Sequence, residues 1–265
     1  MTATATYLGA NGWFLEVAGL RVLVDPWLSG PLVFPPGPWL LKGEMPSLQP
    51  VPDCIDLLLL TQGLQDHAHP ETLTMLSKDL PVVGSAAAAK VAKRLGFTSV
   101  QALNPGESTE QGFLQIRATA GAAVPAVENG YLLDWPGGSL YLEPHGVLDP
   151  SVEVRPVNTV ITPVVDLGLP LVGNFITGAS VMPDLISRFQ PQQVLASTTG
   201  GDVRFSGLIS KLLEAGGVSE ASPAATAGCA LIHPTVGEAK PLAQNPGQSD
   251  KNRNRIAMTM YQAHS

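Results

Sequence analysis

The apolar run at residues 55–60 is the feature of this sequence that most constrains its fold. It is interrupted only by Asp56 and is too short for a typical helix, which predicts a strand buried on both faces. Such a strand requires packed layers above and below its sheet. Its carboxyl end leads directly into a loop that begins at Thr61 and carries polar and ionisable residues.

Short β-like runs recur in both halves of the chain. In the first half the pattern predicts an antiparallel meander at 4–8, 13–17 and 21–24, helices at 71–78 and 86–95, and a strand at 81–84. In the second half it predicts strands at 113–118, 130–134, 139–142, 159–163 and 193–197, and helices at 180–188 and 204–214. The 27 glycines and 24 prolines are typical of short strands joined by tight turns.

Two mixed halves of similar size predict one α/β (α+β) domain built as a four-layer αββα sandwich. Two sheets would pack on each other with helices outside, which explains the apolar central strands. We predict that residues 1–242 form this single domain. Residues 243–265 are polar and rich in turn residues, so they have little to bury and are predicted to form a mobile tail.

Charge and apolar content argue against several classes of protein. The net charge of −7 hardly supplies a basic face for nucleic acid. No apolar stretch approaches the roughly 20 residues of a transmembrane helix. The N-terminus has no basic region of a secretory signal, and the isolated Cys54 and Cys229 suit a reducing compartment, so we expect a cytoplasmic protein. The sequence does not indicate the oligomeric state.

Histidines and carboxylates cluster at two predicted junctions between a strand and a loop. Asp66, His67 and His69 follow the buried strand, and Glu143 and His145 follow the strand at 139–142. One or two imidazoles beside a carboxylate suit a metal site or a proton relay. In α/β folds, ligands gather at such carboxyl ends. His233 and His264 stand alone and are interpreted as non-functional.

Four strings of residues resemble motifs of a known family. They are Tyr7-Leu8-Gly9-Ala10-Asn11, Val24-Asp25-Pro26, the buried strand leading to Thr61 and Asp66-His67, and Glu128-Asn129-Gly130-Tyr131. Together, over about residues 4–240, they resemble the metallo-β-lactamase superfamily in its lactonase-like branch. The resemblance implies an αββα sandwich with a metal-dependent hydrolase site at one edge of the two sheets.

The chain departs from the motif His-x-His-x-Asp-His of that family. Gln62 and Leu64 stand where the two leading histidines would be, which leaves Asp66 and His67. The third histidine of the family would fall near residues 121–123, where this chain has no histidine. The bridging aspartate of the family aligns with Pro144-His145, and its last histidine is replaced by Thr198 or Thr199. We therefore expect the familiar two-metal cage to be absent.

The remaining residues predict a remodelled site. We expect Asp66, His67 and His145 to be catalytic, and Asp66, His67, His69, Glu143 and His145 to be the candidate ligands of one divalent cation, Zn²⁺, Mn²⁺ or Fe²⁺. Without a metal, the same groups suit general acid/base catalysis.

Residues 27–41 are apolar but contain too many prolines and glycines for regular structure, which predicts a loop. In one interpretation the loop folds back over the edge of the sheet and buries itself. In the other, Trp27, Phe34 and Trp39 line the pocket, together with Gln62, and select a partly apolar small-molecule substrate, or they dock on a partner or a membrane surface.

Two functions follow from these residues. The first is a metal-dependent hydrolase of a small ester, lactone or phosphoester, in which Asp66 orients the attacking water. The second is a catalytically degenerate member of the same fold that binds a ligand or partner in the old pocket. The substitutions at Gln62 and Leu64 favour the second function, and the clustered His69, Glu143 and His145 favour the first.

Overall fold

The computed structural model describes residues 2–122, 128–169, 173–197, 203–211, 218–222, 226 and 228–245. The elements of its first half are β1 Thr4–Gly9, β2 Gly12–Val17, β3 Leu20–Val24, β4 Leu32–Val33, β5 Lys42–Glu44, β6 Leu57–Leu60, α1 Pro70–Met75, β7 Val82–Gly84, α2 Ala86–Arg94 and β8 Val100–Ala102. Those of its second half are β9 Ser108–Gln111, β10 Leu114–Ala120, β11 Asn129–Trp135, β12 Gly138–Leu142, β13 Thr159–Thr162, β14 Val165–Leu169, β15 Gly173–Thr177, α3 Gly178–Phe189, β16 Gln193–Ala196, β17 Arg204–Ser206, β18 Val218–Glu220, β19 Ala230–Ile232 and β20 Ala239–Pro241.

Two seven-stranded sheets form the centre of the fold. Their strand orders are β20-β1-β2-β3-β6-β7-β8 and β19-β16-β13-β12-β11-β10-β9. Both sheets are mixed: β3, β6, β7 and β8 run parallel in the first, and β12, β13, β16 and β19 run parallel in the second. Two three-stranded sheets, β15-β14-β18 and β17-β5-β4, complete the described strands.

Strand β6 is buried on both faces, as its apolar run predicts. Leu57 and Leu59 pack in the core that also contains residues of the second sheet such as Leu140. Leu58 and Leu60 point to the other side, into a separate cluster with residues of α1 and α2. The alternation of a strand places successive side chains on opposite faces, so only an apolar run fits between two apolar layers.

Helices cover the outer faces of the two sheets. Helix α2 begins after Ser85, whose Oγ accepts the Ala88 N–H, and it packs Ala88 and Ala92 on the first sheet. Helix α3 packs Met182 and Phe189 on the second sheet. The helix, sheet, sheet and helix layers confirm the predicted αββα sandwich.

The helix predicted at 204–214 is wrong at its start. Arg204–Ser206 forms β17, which pairs antiparallel with β5. The strand forms because β5 offers it a pairing edge, a non-local partner that periodicity does not reveal. Residues 212–214 lie outside the described residues. The predicted loop at 27–41 contains the two-residue strand β4, which pairs with the other edge of β5.

No helix in the described part of the chain is long and apolar enough to cross a membrane. Near the C-terminus, β20 pairs with β1, Leu242 is buried, and the Asn245 N–H donates to the Gly137 carbonyl at 3.1 Å. The tail beyond residue 245 lies outside the described residues, so the predicted division at residue 242 stays a prediction.

Replacing Leu59 by Ala should reduce the free energy of unfolding by about 2–5 kcal/mol, because the side chain is fully buried between the sheets. Phe113→Ala is the control, since Phe113 is 78% exposed. Urea unfolding of both variants measures the difference. Equal stabilities would contradict the position given to β6.

Deleting residues 246–265 should leave the melting temperature unchanged, because the polar tail has little apolar surface to bury. Deleting residues 239–265 should lower it, since the pairing of β20 with β1 and the buried Leu242 are lost. Thermal unfolding of the two truncated chains tests the domain boundary. A large loss in the shorter deletion would show that the tail is part of the domain.

Candidate functional site

The candidate site lies where the two sheets meet at one edge. Asp25 follows β3, and the loop that contains Thr61 and His67 follows β6. From the second sheet, Glu128 directly precedes β11, and His145 follows β12. Because β11 and β12 are antiparallel, the start of one and the end of the other lie at the same edge. The fold therefore brings together residues that are more than 100 positions apart.

His67 is fully buried and is held by Asp25. Its Nδ1 lies 2.9 Å from Asp25 Oδ2, and Asp25 Oδ1 accepts the Thr61 N–H at 2.8 Å. The Thr61 hydroxyl also donates to Asp25 Oδ2. Asp25 has a φ of 40°, an uncommon conformation for a residue other than glycine and typical of functional sites. Asp25 thus fixes both the loop and the orientation of the imidazole.

The charges around His67 shift its pKa and those of its partners. Burial by itself lowers the pKa of His67, but the nearby Asp66 and Asp25 carboxylates raise it well above its usual value. Burial raises the pKa of Asp66, and the opposing charges of His67 and His145 bring it below its usual value. The pKa of Asp25 is raised because burial outweighs its partners. Without a cation, the two carboxyl groups beside His67 therefore favour its protonated form.

His145 is held in the same way by Glu128. Its Nδ1 lies 2.9 and 2.8 Å from the two oxygens of the buried Glu128 carboxylate. The rings of His67 and His145 stack, with centroids 5.3 Å apart and planes at 25°. Ligand atoms of His67, Glu128 and His145 lie within 4.8 Å of one another, which marks them within the described residues as a group able to hold a metal ion.

Glu143 is fully buried below this group. Its Oε2 accepts the backbone N–H of His145 at 3.1 Å and that of Val147 at 2.6 Å. Its Oε1 has no hydrogen-bond partner within the described residues. Burial, followed by the charge of Glu128, raises the pKa of Glu143 well above its usual value. Burial and the neighbouring Glu128 therefore favour the protonated form of Glu143, while the backbone N–H groups it accepts oppose that shift.

His69 has a different role from His67. It precedes α1 and acts as its N-cap, with Nδ1 accepting the Thr72 N–H at 3.3 Å. Its ring lies 6.1 Å from that of Trp27, and burial lowers its pKa. His69 is not part of the compact group formed by His67, Glu128 and His145.

The predicted substrate contacts occupy different environments. Trp27 is 1% exposed and packs with Leu32, and the partly buried Phe34 lies against the same cluster. Trp39 is 63% exposed, and its carbonyl accepts the Leu208 N–H. Gln62 is fully buried. The loop thus buries part of itself and exposes Trp39.

Sequence reasoning assigned no role to Glu128 or Asp25, although it noted both within motifs. Glu128 lies two residues before the strand predicted at 130–134, and Asp25 directly follows the strand predicted at 21–24, so each lies near a strand end. A search for carboxylates at strand ends would have found them. Their pairing with specific histidines depends on how the two sheets pack.

Within the described residues, His67, Glu128 and His145 form one group that could hold a cation. Gln62 and Leu64 carry no imidazole, so neither supplies a nitrogen ligand. His67 and His145 each have Nδ1 hydrogen-bonded to a buried carboxylate, which leaves Nε2 as the ligand atom. A carboxylate behind a ligating histidine is the arrangement typical of protein metal sites.

Comparisons with known proteins support the fold. The model of a family described as a beta-lactamase superfamily domain matches residues 4–197. A comparison with curated protein sequences gives no significant match.

Several solved structures are similar to this chain. One is an isothiocyanate hydrolase from Delia radicum gut bacteria, with a TM-score of 0.63, 15% identity and coverage of 91% of this chain and 99% of that one. Another is a metallo hydrolase from the archaeon Ignicoccus hospitalis, with a TM-score of 0.60, 14% identity and coverage of 91% and 98%. A third is CmlA, a diiron beta-hydroxylase from Streptomyces venezuelae, with a TM-score of 0.56, 20% identity and coverage of 75% and 45%. This chain thus spans less than half of CmlA.

Replacing Asp25 by Asn should lower the pKa of His67, because a neutral amide no longer stabilises the imidazolium. A raised folded-state pKa stabilises the fold fully below the unfolded value of about 6.5, and this stabilisation is lost as the pH rises through the folded value. As the pH rises from about 6.5 through the folded-state pKa of His67, the free energy of unfolding of the wild type should therefore fall. The fall should be smaller in Asp25→Asn. NMR titration of His67 and urea unfolding in EDTA measure both effects.

Asp56→Asn is the matched control, because Asp56 is exposed and pairs with Arg21 at 3.5 Å. It should leave the His67 titration unchanged. An unchanged His67 pKa in Asp25→Asn would contradict the ion pair.

Proposed function

We propose that this chain, which belongs to the beta-lactamase superfamily, is a metal-dependent hydrolase of a small ester, lactone or phosphoester with one divalent cation in a remodelled site. The observation that carries the proposal is the pair of stacked imidazoles, His67 and His145, each with Nδ1 on a buried carboxylate. The two carboxylate–imidazole pairs lie side by side, and each leaves the Nε2 atom of an oriented ring as a nitrogen ligand. Zn²⁺, Mn²⁺ and Fe²⁺ all accept imidazole with carboxylate.

In this proposal Nε2 of His67, Nε2 of His145 and the Asp66 carboxylate hold the cation. Asp25 and Glu128 orient the two rings through Nδ1. Glu143 supports His145 by accepting its backbone N–H. A bound divalent cation polarises the scissile group and lowers the pKa of a water molecule.

Asp66 is suited to orient the attacking water. Its Oδ2 lies 3.4 Å from His67 Nε2, and its side chain is 27% exposed, so it reaches both the site and the solvent. Its lowered pKa keeps it ionised, so it can accept a hydrogen bond from a water molecule and orient it. The more deeply buried Asp25 and Glu128 have no such access.

The substrate is proposed to be a small molecule with an apolar part. Trp27 and Phe34 belong to one apolar cluster, the Trp27 ring lies 6.1 Å from that of His69, and Trp39 is exposed to the solvent. Gln62, at the position of a motif histidine, is proposed as a neutral polar contact. The similar isothiocyanate hydrolase and metallo hydrolase support a hydrolytic reaction without indicating the substrate.

A second candidate function is a degenerate member that binds a ligand or partner without turnover. The raised pKa of His67 favours it, because protonation of this imidazole between Asp25 and Asp66 offsets part of the negative charge of the site without a cation. The two candidate functions differ in whether a metal ion takes the place of the proton on His67.

Protein purified without chelators should contain about one equivalent of a divalent metal, which His67→Ala and His145→Ala should lose. Hydrolysis of a panel of esters, lactones and phosphoesters should stop in EDTA and return with Zn²⁺, Mn²⁺ or Fe²⁺. Elemental analysis and initial rates measure both. His233→Ala is the matched control, because His233 is exposed. A correctly folded wild type that binds none of these metals would favour the degenerate alternative.

A further inference from the structure

Asn11 lies against the ring nitrogen that faces away from Asp25. Its Nδ2 is 3.2 Å from His67 Nε2 and 3.5 Å from the Asp66 carbonyl, and the residue is 8% exposed. On the same side of the ring, Asp66 Oδ2 lies 3.4 Å from Nε2. The side chains of Asn11 and Asp66 therefore both lie next to His67 Nε2, the nitrogen proposed to bind the cation.

These distances match those between ligands of one ion. Two donor atoms that each bind an ion at about 2.0–2.2 Å lie about 2.8–3.6 Å apart in octahedral or tetrahedral coordination. The separations of 3.2 and 3.4 Å fall within that range. A half-turn of the Asn11 carboxamide exchanges Nδ2 for Oδ1 without changing its shape, which gives an oxygen ligand at that position.

The turn that carries Asn11 is held in an uncommon conformation. Ala10 has a φ of 49° and Gly9 a φ of 96°, and the pairing of β1 with β2 shifts register between Tyr7 and Gly9. The Tyr7 hydroxyl donates to the Ala10 carbonyl at 2.7 Å and secures the turn. Register shifts of this kind redirect side chains near active sites. Here the redirected side chain is Asn11, next to His67.

Asp66 provides an independent sign of a missing partner. Its Oδ1 is buried and makes no hydrogen bond within the described residues. An orphaned carboxylate oxygen beside an imidazole is costly unless a cation or proton compensates it.

We propose that the side-chain oxygen of Asn11 is a further ligand of the cation, beside His67 Nε2 and Asp66. It supplies a neutral oxygen to a site that has lost the two motif histidines. The inference rests on the proposed function, because it requires a cation at His67. An amide oxygen is a hard ligand, so its contribution should be larger for Mn²⁺ than for Zn²⁺.

Calorimetric titration of Mn²⁺ into the chelator-treated full chain tests the inference. Asn11→Ala should weaken binding about tenfold, and Asn11→Asp should strengthen it about tenfold, because a charged oxygen replaces a neutral one. Gln115→Glu makes the same change of amide to carboxylate on an exposed strand position and should have no effect. Asn11→Asp should also show the larger rise in melting temperature on adding Mn²⁺.

The outcomes distinguish a failure of the role given to Asn11 from a failure of the cation site itself. Wild-type binding that His67→Ala abolishes and Asn11→Ala leaves unchanged would overturn the role of Asn11 alone. Equal weakening in Asn11→Ala and Asn11→Asp would also overturn it, because the amide N–H and not the oxygen would then matter. No binding by the wild type would overturn both the role of Asn11 and the cation site. If Asn11→Ala fails to fold, the isosteric Asn11→Asp decides.

Discussion

The hydrogen bonds of Asp25 connect the parts of the fold that make the site. One carboxylate joins the end of β3 to the loop after β6, through Thr61 and His67. Because β3 and β6 are neighbouring parallel strands, their carboxyl ends already lie side by side. Asp25 converts that proximity into a fixed position for one imidazole. The stacking of His145, the contact of Asn11 and the placement of Asp66 all depend on where this ring lies.

Buried ionisable groups are a cost that the hydrophobic sandwich must carry. Asp25, His67, Glu128 and Glu143 are 0–1% exposed, and an unpaired buried charge destabilises a fold by several kcal/mol. Three of them form close carboxylate–imidazole contacts, and Glu143, whose pKa is raised by burial, accepts two backbone N–H groups. The αββα layers supply the apolar core that offsets this cost. Such concentration of perturbed groups at one edge is typical of a functional site.

The two histidines of the candidate site come from different sheets. The loop after β6 contributes His67, which is oriented by Asp25. His145 comes from the other sheet and is oriented by Glu128. Two histidines, one from each sheet, are therefore held in the same way by a buried carboxylate.

The sequence by itself determined the layered fold, the two-sided burial of β6 and the strand ends at which Asp66, His67, Glu143 and His145 lie. Periodicity and turn residues are local signals, and they suffice for strands whose faces differ in burial. Only the tertiary structure decided that Glu128 holds His145, that His69 caps α1, and that residues 204–206 form a strand. These facts depend on the register of distant strands and on which side chains meet between two sheets, and no local pattern specifies either.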